Sequence, residues 1–265
     1  MRDSPIVVTG FIDIGRDNWS RNRVGLKKVP RFLDRNVDTY IESFNRLIQL
    51  KNQILVFGET DLKMKLGTLP SNVKFIDLGQ NYLSQHQELL NEISRVQRNP
   101  IFRKLIKDPR MPEYWSPEYI LVNFLKATFV NKAISDYLDS KKTFAWIDFG
   151  YAKDFTKIPT SEPWMVPITD KLEIFAFEDP LLARPVFQYT RENKVVIQGC
   201  HIVGSTSSWR EFKVLMDFAI MAFLSVGMID DDQGLMLLAV QKKPEIFRIN
   251  TAIPGWFNLF EHFKA

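Results

Sequence analysis

Cysteine occurs once in this chain of 265 residues, at Cys200, so no internal disulfide can form and a disulfide-stapled fold is excluded. That scarcity suits a reducing compartment. Long apolar runs are missing as well. The longest, near Phe218 to Val226, is too short to cross a bilayer and reads as a buried helix. Met1-Arg2-Asp3-Ser4-Pro5 runs straight into a strand-like segment, so no signal peptide is expected. No HExxH, GxSxG, CxxC or Walker loop is present, which removes zinc-protease, serine-hydrolase and P-loop chemistry. Repeats and low-complexity linkers are absent too, and a single domain over residues 1–265 is expected. The net charge of +4 is mild and Lys and Arg are scattered among acids, which is not the footprint of a nucleic-acid binder.

The composition is that of a globular protein, with 45% hydrophobic and 25% charged residues, and 21 Phe with 6 Trp promise an aromatic core. Ile6 to Thr9, Gln53 to Phe57 and Val73 to Ile76 read as short buried strands, with an amphipathic helix from Asp38 to Leu50 between the first two. Residues 81–110 have helical spacing. Tyr114 to Asp136 is a strong helix, with Ser116 as N-cap and Pro117 in the first turn. It feeds the strand Phe144 to Asp148. Further strands are expected at Lys171 to Phe177, Pro185 to Tyr189 and Val195 to Gln198, then a turn bracketed by Gly199 and Gly204. A buried helix from Trp209 to Ser225 and another headed by Asp230-Asp231-Asp232 follow, before the loop-like aromatic tail Pro254-Gly255-Trp256-Phe257. This alternation predicts an α/β fold, a mixed, mostly parallel sheet flanked by helices.

Several residues in this frame carry chemistry. Asp148 closes an apolar strand, at the carboxyl end where open α/β sheets bind ligands, and either holds a metal ion or caps a loop. Gly10 and Gly15 permit close backbone approach, Asp13 can accept hydrogen bonds from a base or ribose, and Arg16 can fork onto a phosphate. Asn123 and Lys126 share one face of an otherwise apolar helix, as a rim or a pocket wall. Three consecutive acids at Asp230 to Asp232 exceed what capping needs, so one is available as a general base. His201 and His262 are each a metal or hydroxyl ligand or a structural histidine, and Cys200 reads as buried and inert.

Taken in order, these elements resemble a nucleotide-diphospho-sugar glycosyltransferase of the GT-A fold. More narrowly, the chain resembles the HtrL/YibB family of bacterial proteins, found among surface-polysaccharide genes. The resemblance rests on Val7-Val8-Thr9-Gly10-Phe11-Ile12-Asp13-Ile14-Gly15-Arg16, on Ser116-Pro117-Glu118-Tyr119 with Asn123 and Lys126, and on Trp146-Ile147-Asp148-Phe149-Gly150. It implies that Thr9, Gly10, Phe11, Asp13, Arg16, Asn123, Lys126 and Trp146 hold a nucleotide-diphosphate sugar donor. Asp148 would bind Mn²⁺ or Mg²⁺ where GT-A enzymes carry a DxD motif. Here that motif is Asp148-Phe149-Gly150, and the missing second acid either removes the dependence on metal or shifts a ligand to another residue such as His201 or His262. Gly199, His201 and Gly204 would meet a glycan or glycolipid acceptor, and Asp232, or Asp231 beside it, would face the acceptor hydroxyl. A cytoplasmic protein with peripheral contact at the inner membrane is expected. The rivals are a degenerate, non-catalytic glycan-binding or scaffold protein and a sugar nucleotidyltransferase, whose glycine-rich loop is lacking.

Overall fold

The short apolar segments pair into one large sheet, and the computed structural model describes residues 1–19, 35–136, 142–182, 184–251 and 255–264. In chain order the strands are β1 (Arg2–Asp3), β2 (Ile6–Phe11), β3 (Ile54–Gly58), β4 (Val73–Asp77), β5 (Thr143–Ile147), β6 (Val166–Pro167), β7 (Leu172–Phe175), β8 (His201–Ser205) and β9 (Phe247–Asn250). The α-helices are α1 (Val37–Leu47), α2 (Thr60–Leu66), α3 (Gln87–Arg98), α4 (Pro100–Leu105), α5 (Pro117–Asp136), α6 (Val186–Glu192), α7 (Thr206–Ser225), α8 (Asp232–Lys242) and α9 (Leu259–His262). Strand order in the seven-stranded sheet is β4-β3-β2-β5-β8-β7-β9. β2 pairs parallel with β3 and β5, β3 with β4 and β7 with β9, while β8 runs against both its neighbours. This is the expected α/β architecture, a Rossmann-like, mostly parallel sheet between layers of helices.

Successive residues of a strand point to opposite faces, and that alternation sorts the core. Val8, Phe144, Trp146 and Ile202 join the layer built with α3, α5, α7 and α8. Val7, Ala145, Ile147 and Val203 join the layer with α1 and α9. Helix α5 is apolar nearly all round because it lies on β2 and β5 and is covered by α3 and α7. Its start follows local chemistry, since the Ser116 hydroxyl accepts a hydrogen bond from the Tyr119 N–H at 3.2 Å.

From β2 the chain winds outward through β3 to β4, then returns through α3 and α5 to place β5 on the other side of β2. The strand order therefore reverses between β2 and β5, and a crevice opens beyond their carboxyl ends.

Three expectations are corrected. Pro185 to Tyr189 is the start of α6 rather than a strand, because Val186, Tyr189 and Thr190 bury at helical spacing. Val195 to Gln198 forms only a single bridge, Ile197 to Ala176. Gly204 lies inside β8, where a Cβ would come within 2.7 Å of Leu172, and does not bracket a turn. Of the aromatic tail, Pro254 lies outside the described residues. No helix among the described residues is long and apolar enough to cross a membrane.

Candidate functional site

The crevice at the β2–β5 reversal is a cleft of about 520 Å³. Its walls come from the loop after β2, one face of α5, the end of β5, the start of β8 and the N-terminus of α8. Gly10, Phe11, Arg16, Asn123, Lys126, Trp146, Asp148, Gly199, Asp231 and Asp232, all singled out in the sequence, line it.

Lys126 sits at its centre. Its ammonium donates to Asp232 Oδ2 at 2.8 Å and to the Gly199 carbonyl at 3.0 Å, and pairs with Asp148 Oδ1 at 2.9 Å. Three acceptors thus match the three N–H donors of the group. Asp148 Oδ1 also accepts from the Trp146 indole at 2.7 Å, and the Asp148 N–H donates to the Cys200 carbonyl at 2.9 Å, tying β5 to the start of β8. Burial pulls the Lys126 ammonium down, but Asp148 and Asp232 outweigh it and hold its proton affinity above the ordinary value.

The opposite wall is acidic. Asp231 caps α8, accepting from the Gln233 N–H at 3.0 Å, and Asp230 accepts from the Thr190 hydroxyl at 2.7 Å. Glycine makes room for the acids on both sides of the cap. A Cβ on Gly199 would come within 2.2 Å of Asp232 Oδ2, and one on Gly234 within 2.2 Å of Asp230 Oδ2. Burial raises the carboxyl of Asp230 to about 6, against the pull of its Thr190 and backbone hydrogen bonds. Asp231 is pushed well above the carboxylate range by burial and then by Asp232, Asp230 and Glu113. Burial also raises Asp232, opposed by Lys126. Glu113, in the short turn before α5, is 4% exposed and lifted to about 8 by burial and then Asp230.

Arg16 occupies the near wall in an aromatic setting. Its guanidinium stands 4.9 Å from the Trp19 ring centre, 5.1 Å from Tyr40 and 5.4 Å from Tyr119, and it donates to the Tyr40 hydroxyl. Cation–π contact of this kind holds a charge without neutralising it. Asp13 does not line the cleft. Its Oδ1 accepts from the Gly15 N–H at 2.9 Å and shapes the turn, where Gly15 has φ of 72°.

Thr9, His201, Gly204 and His262 are also outside the cleft lining. Thr9 is fully buried in β2. His201 lies opposite Ile147 in the β5–β8 pair and therefore shares its face, turned away from Lys126. It packs on Phe175 with ring centres 4.5 Å apart, and burial drops its imidazole to about 3. His262 stands edge-on to the same Phe175 at 5.1 Å. Neither His201 nor His262, the two residues expected to supply a further metal ligand, lines the cleft beside Asp148. No group of three His, Cys, Asp or Glu arranged for a metal ion occurs among the described residues. Reading the sequence also misses Glu113 and the aromatic seat of Arg16. Trp19 and Tyr40 carry no motif, and Tyr40 reads simply as an apolar position of an amphipathic helix.

Comparison with known proteins covers this whole frame. The family described as "Bacterial protein of unknown function (HtrL_YibB)" matches residues 3–265. Protein HtrL of Escherichia coli (strain K12) is 34% identical over 276 aligned positions, which span 100% of this chain and 94% of the relative. A family match over nearly every residue and a relative of 34% identity over the full length lead to one statement of kinship, that the chain belongs to the HtrL/YibB family.

Proposed function

We propose that the protein is a GT-A-like glycosyltransferase that moves a sugar from a nucleotide-diphosphate donor to a hydroxyl of a glycan or glycolipid acceptor. The observation that carries this reading is the cleft at the strand-order reversal, where Arg16 and Lys126 line the same space as the carboxylates Asp148, Asp231 and Asp232. Arg16 meets the diphosphate, and Lys126, whose three protons are held by Asp148, Asp232 and the Gly199 carbonyl, adds its charge from behind. Asp231 and Asp232 face the acceptor side. In an inverting transfer, a bond forms between the acceptor oxygen and the anomeric carbon as the bond from that carbon to the diphosphate oxygen breaks. The electron pair of the broken bond leaves with the nucleoside diphosphate, and the acceptor proton passes to a carboxylate. Asp231 suits that last role better than Asp232, whose Oδ2 is already paired with the Lys126 ammonium at 2.8 Å.

The test is release of nucleoside diphosphate from a panel of UDP- and GDP-linked sugars in the presence of glycan acceptors. Asp231→Asn is expected to lose ~10²–10⁴ in turnover, the usual worth of a general base, with donor affinity kept. An equal loss in Asp232→Asn alone would return the role to Asp232. A second reading has one observation in its favour: Asp231 caps a helix and Asp232 pairs with Lys126, so both acids have structural uses. Donor binding with no turnover on any acceptor would select that reading, a non-catalytic nucleotide-sugar or glycan-binding protein.

A further inference from the structure

We propose that Lys126, together with Arg16, replaces the divalent cation of this cleft, so that a nucleoside diphosphate binds here without any metal ion. The inference rests on the donor-binding reading above and goes beyond it. Asp148 is the acid from which a metal site would be built, and its Oδ1 is already committed to the Trp146 indole at 2.7 Å and to the Lys126 ammonium at 2.9 Å. Between Asp148 and Asp232, where a bridging cation belongs, stands that ammonium, with all three of its protons directed at acceptors. A metal ion seated among the same oxygens would face a fixed positive charge at close range.

The place of the second acid is closed by shape. A Cβ on Gly150 would meet the Tyr40 ring at 2.8 Å, so a carboxylate side chain has no room there. The ring that fills the space carries the Arg16 guanidinium 5.1 Å from its centre, and the Tyr40 hydroxyl accepts a hydrogen bond from it. Where a second metal-binding carboxylate would stand, this chain presents an arginine mounted on a tyrosine. Among the described residues, four side-chain cations line the cleft, Arg16, Arg35, Lys126 and Lys153. Against them stand Asp148 and Asp232, both paired with Lys126, while burial and neighbouring acids push Asp231 and Glu113 toward their neutral forms. The balance favours an anionic ligand with no ion added.

Titration calorimetry of the full chain with UDP and GDP, in EDTA and then in Mn²⁺, tests this. The expected result is one dissociation constant, equal within about twofold in the two buffers, and no stoichiometric Mn²⁺ uptake by the protein alone. Lys126→Met should weaken diphosphate binding at least tenfold in EDTA, and Lys126→Arg should retain most of it. Because the methionine leaves Asp232 unpaired, Lys126→Met with Asp232→Asn serves as the folded control and should bind equally weakly. A tenfold or larger gain in affinity on adding Mn²⁺, or uptake of Mn²⁺ that disappears in Asp148→Asn, overturns the proposal and leaves the donor-binding reading standing. Binding of no nucleoside diphosphate in either buffer overturns both.

Discussion

The two walls of the cleft hold their charges by opposite means. On the wall after β2, Arg16 rests on the faces of Trp19, Tyr40 and Tyr119, which stabilise its charge, and among the described residues only the Tyr40 hydroxyl takes a hydrogen bond from it. On the wall at the start of α8, Asp230, Asp231, Asp232 and Glu113 are buried close together, with Lys126 as the nearest counter-charge. Crowding like charges in a low-dielectric place favours their protonated forms. One wall is therefore built to grip an anion whatever the pH, and the other to hold and release protons.

The largest effect should come from removing the cation where the acids depend on it. Lys126→Met takes the partner from Asp232, 4% exposed in its side chain, and is expected to cost about 3–5 kcal/mol of stability. Denaturant unfolding would measure it, and adding Asp232→Asn should recover most of the loss. No recovery would mean that the acidic wall is held by something else. Next in size, Arg16→Ala should weaken diphosphate binding by about 1.5–3 kcal/mol, the range for a hydrogen bond to a charged group, while the melting temperature barely moves. A large fall in melting temperature with binding unchanged would make Arg16 a packing residue and erase the contrast between the walls.

The smallest effect is a slope. Glu113 holds its proton in the folded state up to about pH 8, against an ordinary value of 4.5. Its contribution to stability is complete below pH 4.5 and is lost as the pH rises through about 8, at no more than about 1.4 kcal/mol per pH unit. Glu113→Gln carries no such proton. Its melting temperature should therefore fall less than that of the wild type between pH 6 and pH 9. Parallel curves would show that Glu113 is ionised throughout.

What can be read in the sequence follows the range of the interaction involved. The start of α5 is legible because Ser116, Pro117 and Glu118 act on their own turn. The Asn123–Lys126 pair is legible because a polar face on an apolar helix needs a reason. α6 escapes because a seven-residue helix spans barely two turns and Pro185 before it fits a strand equally well. Of the supposed metal ligands, His201 fails through parity. His201 stands opposite Ile147, and only the strand pairing reveals that this face turns away from Lys126. Glu113 escapes altogether, since the acid that acts on it most, Asp230, lies over a hundred residues away in sequence.

The reversal of β8 has a consequence for how this cleft can vary between relatives. Because β8 runs against β5, its first residues, rather than its last, meet the crevice, and the Asp148 N–H to Cys200 carbonyl bond pins them in register. The gap between Asp148 and the Gly199 carbonyl is thus a lattice spacing of the sheet. It changes only when the strand slips by whole residues, and a slip of one would turn every β8 side chain to the other face. Drift in sequence can repaint the lining of the cleft freely, but its width comes in steps, and the smallest step would dismantle the core beneath it.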